Sequence, residues 1–209
     1  MQKPLNVHLR EGKKNMYKCF VKRIIDFIIS LFGIIVLIIP MGIIALIIKM
    51  DSPGPAIFKQ KRTGVHQKIF TVFKFRTMCD HAYEKGGIAT SESDTRITKV
   101  GKILRRTSLD ELPQLFNIIS GQMSIIGPRP ILDWEFKEKN NKPEYIKRFD
   151  VRPGLFCTVD VEHRNADRDM QFEMDAEYAD KCSFGLDIKT FFSVIKTVIT
   201  GKGVYKDEK

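Results

Sequence analysis

The stretch FIISLFGIIVLIIPMGIIALII, from Phe27 to Ile48, contains no charged residue, and its reading decides the fold. A helix needs about 20 apolar residues to cross a hydrocarbon core, so length alone permits a span. Two features argue for a different path. Pro40 lies in the second half of the run, where proline deletes a backbone donor and kinks a helix. Both flanks are also basic: Lys13, Lys14, Lys18, Lys22 and Arg23 precede the run, and Lys49, Lys59, Lys61 and Arg62 follow it. A single span would put one flank outside, against the preference of cations for the cytoplasmic side. A helix that enters, bends at Pro40 and returns keeps both flanks on one face. Residues 1–50 are expected to form a basic leader and a re-entrant membrane anchor, with a proline-containing single span as the alternative these residues leave open, and residues 51–209 a domain at the cytoplasmic face. The charged leader, with no small-residue cleavage site after the run, predicts that the anchor stays attached. Asp26, at its entrance, is expected to pair with Lys22 or Arg23.

Beyond the anchor, Ala56 to Met78 is expected to form two extended segments around Gly64, because Ile69, Thr71, Phe73 and Phe75 alternate with Phe70, Val72, Lys74 and Arg76. Period two sets Lys74 and Arg76 on one face. Residues Asp80 to Ser93 turn polar and glycine-rich, which predicts a mobile loop. The basic run KVGKILRR, Lys99 to Arg106, would by itself suit a solvated helix face. Directly after it comes TSLDELPQLFNIISGQMSIIGPRP, Thr107 to Pro130, which sets adjacent carboxylates, Asp110 and Glu111, among Arg105, Arg106 and Arg129. Leu112, Leu115, Phe116 and Ile119 fall at the spacing of one helix face. Ser108 with Glu111 reads as a capping box, while Pro113 suits the first helical position. On either reading the carboxylates sit at a helix N-terminus, where free amides favour negative charge. A structural cap and a phosphate-handling site both fit this pattern. Arg129 and Arg152 adjoin prolines, on backbone with little freedom, which suits preorganised cations. Near the C-terminus Ile188, Phe191, Phe192, Ile195, Val198 and Ile199 repeat at helical spacing, as a core-covering helix or one lying on a membrane would.

Composition narrows the partners. Lys and Arg number 35 against 25 Asp and Glu, a formal charge of +10, which implies anionic partners. Nucleic acid would be the default for so basic a chain, but the long apolar run points to lipid headgroups and phosphorylated substrates, and an aromatic-basic stacking surface is missing. Cys19, Cys79, Cys157 and Cys182 form no CxxC pair and read as reduced cytoplasmic thiols. The four histidines offer no metal cluster, and there is no Walker A pattern.

The ordered motifs resemble the bacterial sugar transferase family, small monotopic phosphoglycosyl transferases that load a sugar phosphate onto a polyprenyl phosphate carrier. The likeness rests on Asp110-Glu111 inside SLDELPQLFN and on Pro128-Arg129-Pro130 inside IIGPRP. Further matches are Asp51-Ser52-Pro53-Gly54-Pro55 with Phe58-Lys59-Gln60, then FKFRTM from Phe73 to Met78, then Asp150-Val151-Arg152-Pro153-Gly154. The resemblance extends from roughly Val21 to Val198. It implies a mixed α/β, mostly helical fold. A re-entrant helix-break-helix would carry a small cytoplasmic catalytic domain with a short β-hairpin and interfacial amphipathic helices, at the bacterial inner membrane.

The resemblance also implies a chemistry. Asp110 would be a nucleophile, Glu111 would hold Mg²⁺, Lys74 would lie near both, and Arg105, with Arg129 and Arg152, would bind phosphate. The substrates would be a UDP-sugar and undecaprenyl phosphate, at a surface of membrane lipids, with no nucleic acid partner and with a homo-oligomer compatible. Direct attack of one phosphate on another is repelled by charge, so a covalent aspartyl-phosphosugar route with release of UMP is expected. Such a reaction would initiate glycan assembly. A catalytically silent scaffold for glycan enzymes is the alternative. The chain departs from the family after Gly154, where Leu155 to His163 replace a glycine-containing run, and at Ile39, where serine often precedes the proline. The first departure leaves the donor sugar open.

Overall fold

The computed structural model describes residues 16–80, 82, 94–132, 134–135, 142–159 and 167–200. A π-helical turn, Tyr17–Val21, leads into helix α1, Lys22–Asp51, which at 1.5 Å per residue is about 45 Å long. Among the described residues it is the one helix long and apolar enough to cross a membrane. In place of the expected helix-break-helix, the helix is continuous, with Pro40 inside it. The proline removes one donor, and the turns on either side are supported by packing. Leu37, Met41, Ile44 and Ile48 lie against Ala56, Phe75 and Leu104, and full burial of such a side chain contributes about 1.5–3 kcal/mol.

Both ends of α1 are fastened to the remainder of the protein by polar bonds. At the start, Arg23 donates to the carbonyls of Ile118 and Ile119 at 2.5 and 2.6 Å. Lys22 forms a buried ion pair with Asp187, which also accepts from the hydroxyls of Tyr17 and Tyr178. Asp26 does not pair with Lys22 or Arg23 as expected. It is buried and accepts from Ser124 Oγ at 2.7 Å and Ile125 N at 3.1 Å. At the far end the buried Arg76 donates to the carbonyls of Ser52 and Pro53, at 2.6 and 2.8 Å, and so caps the helix. Sequence placed Arg76 beside Lys74, but it lies just past its strand and is spent on this cap. The outward side of α1, including Ile28, Phe32, Ile35, Ile39 and Ile43, is exposed.

Strands β1, Ile57–Thr63, and β2, Ile69–Phe75, form the expected antiparallel hairpin, with Phe58 opposite Lys74. The Asp80 to Ser93 segment lies outside the described residues except for its first member and Ala82. Helix α2, Lys99–Thr107, is capped by Thr98 Oγ1, which accepts from Gly101 N, and ends at Ser108, whose φ of 56° turns the chain sharply. A 3₁₀ turn, Leu109–Glu111, then precedes helix α3, Gln114–Ile119. The expected capping box is absent. Ser108 makes no side-chain cap bond, and α3 starts after Pro113, so the carboxylates belong to the preceding turn.

The buried face of α3 also differs from its apolar stripe. Gln114, Leu115, Asn117 and Ile118 are buried while Phe116 is exposed. The reason is the open edge of β2. Asn117 accepts from Phe73 N at 3.1 Å and donates to Thr71 O at 2.7 Å, satisfying strand groups that would otherwise be orphaned.

Strands β3, Ser124–Ile126, and β4, Gly154–Phe156, pair in parallel. They approach so closely that a Cβ on Gly154 would stand 2.1 Å from Gly127 N, which leaves glycine as the residue that fits. A short helix α4, Pro143–Ile146, precedes α5, Arg168–Lys181, and α6, Phe184–Thr200. Helix α6 divides the predicted stripe, with Phe191, like Leu186, packed against the main core. It buries Asp187, Thr190 and Val194 and exposes Phe184, Ile188, Phe192 and Ile195, while Val198 and Ile199 lie outside the described side chains.

Candidate active site

The site is built where β2, the 3₁₀ turn and the loop after β3 converge. Lys74 extends the face of β2 whose earlier members, Phe70 and Val72, are buried in the main core. Its ammonium donates to Glu111 Oε1 at 2.7 Å, and both side chains stay about a quarter exposed, 26% and 30%. Consecutive residues of a three-per-turn helix splay apart, so Asp110 and Glu111 look in different directions. Glu111 faces a shallow, solvent-open cavity lined also by Lys74, Arg62, Gln114, Arg129, Leu155 and Cys157. Asp110 feels Lys74 and Arg105 as its neighbouring cations.

Arg105 is aimed by its own bond, Nε–H donating to Thr77 Oγ1 at 2.9 Å. It occupies the last turn of α2, where the helix dipole favours a cation. Sharp reversal at Ser108 then brings Asp110 back near it. Arg129 is exposed on the cavity rim, and its backbone N–H donates to Asp175 while its carbonyl accepts from Arg148. Arg152 does not join this group. Its Nε–H donates to Gly121 O at 2.8 Å, beyond the end of α3, beside the Arg23 guanidinium and away from the cavity lining.

Arg62 is a cavity residue that sequence reasoning missed, having counted it only as a basic flank. Its guanidinium donates to Pro130 O at 2.9 Å and to Gln60 Oε1 at 2.6 Å, while burial, with Arg129 nearby, lowers its pKa to about 10. The spacing Gln60-x-Arg62 was the available signal, since alternate strand residues share a face.

The two carboxyls titrate apart. Burial raises the Asp110 pKa to about 6, helped by the Glu111 charge and opposed by Lys74 and Arg105. Burial pushes Glu111 upward as well, but Lys74, through charge and hydrogen bond, outweighs it and holds that carboxyl below its ordinary value. Neighbouring acids whose environments separate them in this way are the pattern of a nucleophile beside an electrostatic partner. No group of three or more His, Cys, Asp or Glu suited to a metal occurs among the described residues. Glu111, whose carboxylate faces the cavity, could hold Mg²⁺ in the way that ion prefers, by one or two carboxylates with water and substrate phosphates completing the shell.

A family model described as bacterial sugar transferase matches residues 17–201. The UDP-N-acetylgalactosamine-undecaprenyl-phosphate N-acetylgalactosaminephosphotransferase of Aeromonas hydrophila is 36% identical over 189 residues, 88% of this chain and 45% of that one. The exopolysaccharide production protein PSS of Rhizobium leguminosarum bv. phaseoli is 37% identical over 194 residues, covering 87% and 97% of the two chains. The UDP-glucose:undecaprenyl-phosphate glucose-1-phosphate transferase of Escherichia coli is 38% identical over 169 residues, 78% of this chain and 36% of that one. The chain thus spans less than half of two of these relatives and nearly all of the third. On the match of its site-bearing segments from Tyr17 to Gly201, the chain belongs to the bacterial sugar transferase family.

Proposed function

We propose that the protein transfers a sugar 1-phosphate from a UDP-sugar to undecaprenyl phosphate, releasing UMP, and so initiates glycan assembly at a membrane. The observation that carries this reading is a carboxyl pair of separated acidity, Asp110 near 6 and Glu111 depressed, in which Glu111 lines a cavity with Lys74, Arg62 and Arg129 while Asp110 lies next to Lys74 and Arg105. The printed activities of the A. hydrophila and E. coli relatives are of this class.

In this reading the cations bind the donor diphosphate and neutralise its charge. Asp110, mostly ionised at neutral pH, attacks the sugar-bearing phosphorus with a carboxylate oxygen. The bond from that phosphorus to the UMP oxygen breaks and an acyl phosphate remains. A lipid phosphate oxygen then attacks the same phosphorus and returns Asp110 to its free carboxylate. Lys74, bonded to Glu111, fixes the orientation of the second carboxylate and holds down the pKa of the first. Mg²⁺ on Glu111, with Asp110 beside it, would supply charge neutralisation at the diphosphate oxygens. Leu155 and Cys157 line the cavity and belong to the stretch that departs from the family, so they are the positions from which donor choice is expected to be set.

The membrane arrangement we infer is one-sided, with residues 1–50 as leader and anchor, the unbroken α1 embedded from one face, and residues 51–209 as the catalytic part on the cytoplasmic face of the inner membrane. Its support is that Arg23 and Arg76 fasten opposite ends of α1 to one body, which a helix with its ends on opposite faces would strain to do. The exposed apolar residues of α6 lie on the same reading at the lipid boundary. Single cysteines replacing Gln2 and Lys59, in a background without the native thiols, should both label only from the cytoplasmic side. Labelling from opposite sides would remove the one-sided model.

The activity is tested with membrane fractions, undecaprenyl phosphate and a panel of UDP-sugars. UMP release with at least one donor, lost in Asp110→Asn, is expected. No release with any donor would favour the silent scaffold, and equal release from both proteins would take the chemistry away from Asp110.

A further inference from the structure

We propose that the buried ion pair Arg148–Asp175 is a positioning device that aims Arg129 at the donor phosphates, an assignment that rests on the function proposed above. The pair is fully withdrawn from water, with side-chain exposures of 1% and 0% at a separation of 2.6 Å. Each member also grips the same residue. Asp175 Oδ1 accepts from Arg129 N at 3.3 Å, and Arg148 Nη2 donates to Arg129 O at 2.6 Å. The guanidinium is itself clamped, 4.5 Å from the centroid of the Phe172 ring and 5.6 Å from that of Phe149.

The need for such a device follows from the segment. Prolines 128 and 130 have no N–H, so the Pro128-Arg129-Pro130 backbone cannot be held by ladder bonds of its own. It is held from outside instead. Gly154 N donates to Pro128 O, Arg62 to Pro130 O and Thr63 N to Ile131 O, leaving the two polar groups of Arg129 to the ion pair. A buried ion pair is poor evidence for stability, because desolvation offsets much of the attraction and apolar replacements often do as well. Fixing one backbone direction is what this pair does that apolar residues would not. Asp175 comes from α5 and Arg148 from the turn Lys147–Asp150, so two elements outside the cavity determine where its rim cation stands.

The test uses the full-length protein with Asp175→Asn, alone and combined with Arg129→Lys. Hydrogen exchange of peptides covering residues 128–132 should speed up in Asp175→Asn while peptides from β2 and α3 keep their protection. With the best UDP-sugar, kcat/KM should fall at least about tenfold, since an ångström of misplacement costs on the order of 100-fold. In the Arg129→Lys background the same change should cost little more. Additive losses in the two backgrounds, or unchanged protection of 128–132, would overturn the assignment. The exchange measurement needs no substrate. If the wild type releases no UMP, the functional reading falls while the exchange result still decides whether the pair holds Arg129. Should Asp175→Asn fold poorly, Arg148→Lys, which keeps the charge but not the guanidinium fork, serves in both measurements with the same expected and contrary outcomes.

Discussion

Two ion pairs of opposite character bear on the cavity, one lining it and one holding the backbone of its Arg129. Lys74–Glu111 is a quarter exposed and opens onto the cavity, whereas Arg148–Asp175 is shut away among aromatic rings. The open pair can exchange partners with an incoming phosphate or cation at small cost, because water already screens it. The closed pair cannot, since separating it would leave a bare charge inside the protein. Chemistry therefore belongs with the first and geometry with the second, although both consist of one cation and one carboxylate.

The largest effect should come from the open side. Asp110→Asn should lower turnover by at least about 10³-fold while leaving the thermal midpoint and membrane association unchanged, because the amide keeps the shape but cannot attack phosphorus. A loss of folding instead would mean that the turn is structural. Next, removal of one cation from each pair should give opposite results. Arg148→Met should destabilise by about 3 kcal/mol or more in denaturant unfolding, through the stranded Asp175. Lys74→Met should cost less than about 1 kcal/mol in stability yet reduce kcat on the order of 100-fold. Similar stability losses would erase the distinction.

A smaller effect concerns pH. Attack requires the deprotonated Asp110, so the rate should fall as pH drops through about 6. In Lys74→Met the midpoint should move upward, since Lys74 is the first of the influences holding that pKa down. A midpoint that does not move would detach Lys74 from the nucleophile.

Much of this arrangement was legible in the sequence. The hairpin followed from period-two alternation and a glycine, and the dyad from adjacent carboxylates after a basic helix, because both signals are local. The buried face of α3 was not legible. Apolar spacing selects Phe116, whereas Asn117 is drawn inward by the free edge of β2, a partner more than 40 residues away. Asp26 was misassigned for the same reason, its partners being Ser124 and Ile125 rather than Lys22 or Arg23, and the bond of Arg62 to Pro130 O is equally remote, although its bond to Gln60 is local. The Arg148–Asp175 pair carries no local signature, and its meaning lies in the backbone of a third residue. Pro40 shows the converse limit, since a rule about single helices does not see the packing that supports the turns around it.

The central claim is that Asp110 becomes covalently loaded, and intact-protein mass tests it most directly. Full-length protein incubated with its UDP-sugar and Mg²⁺, without lipid acceptor, should gain the mass of one sugar phosphate, labile to hydroxylamine and absent in Asp110→Asn. No gain in mass, with UMP released only when undecaprenyl phosphate is present, would contradict the account and make the lipid phosphate itself the attacking group.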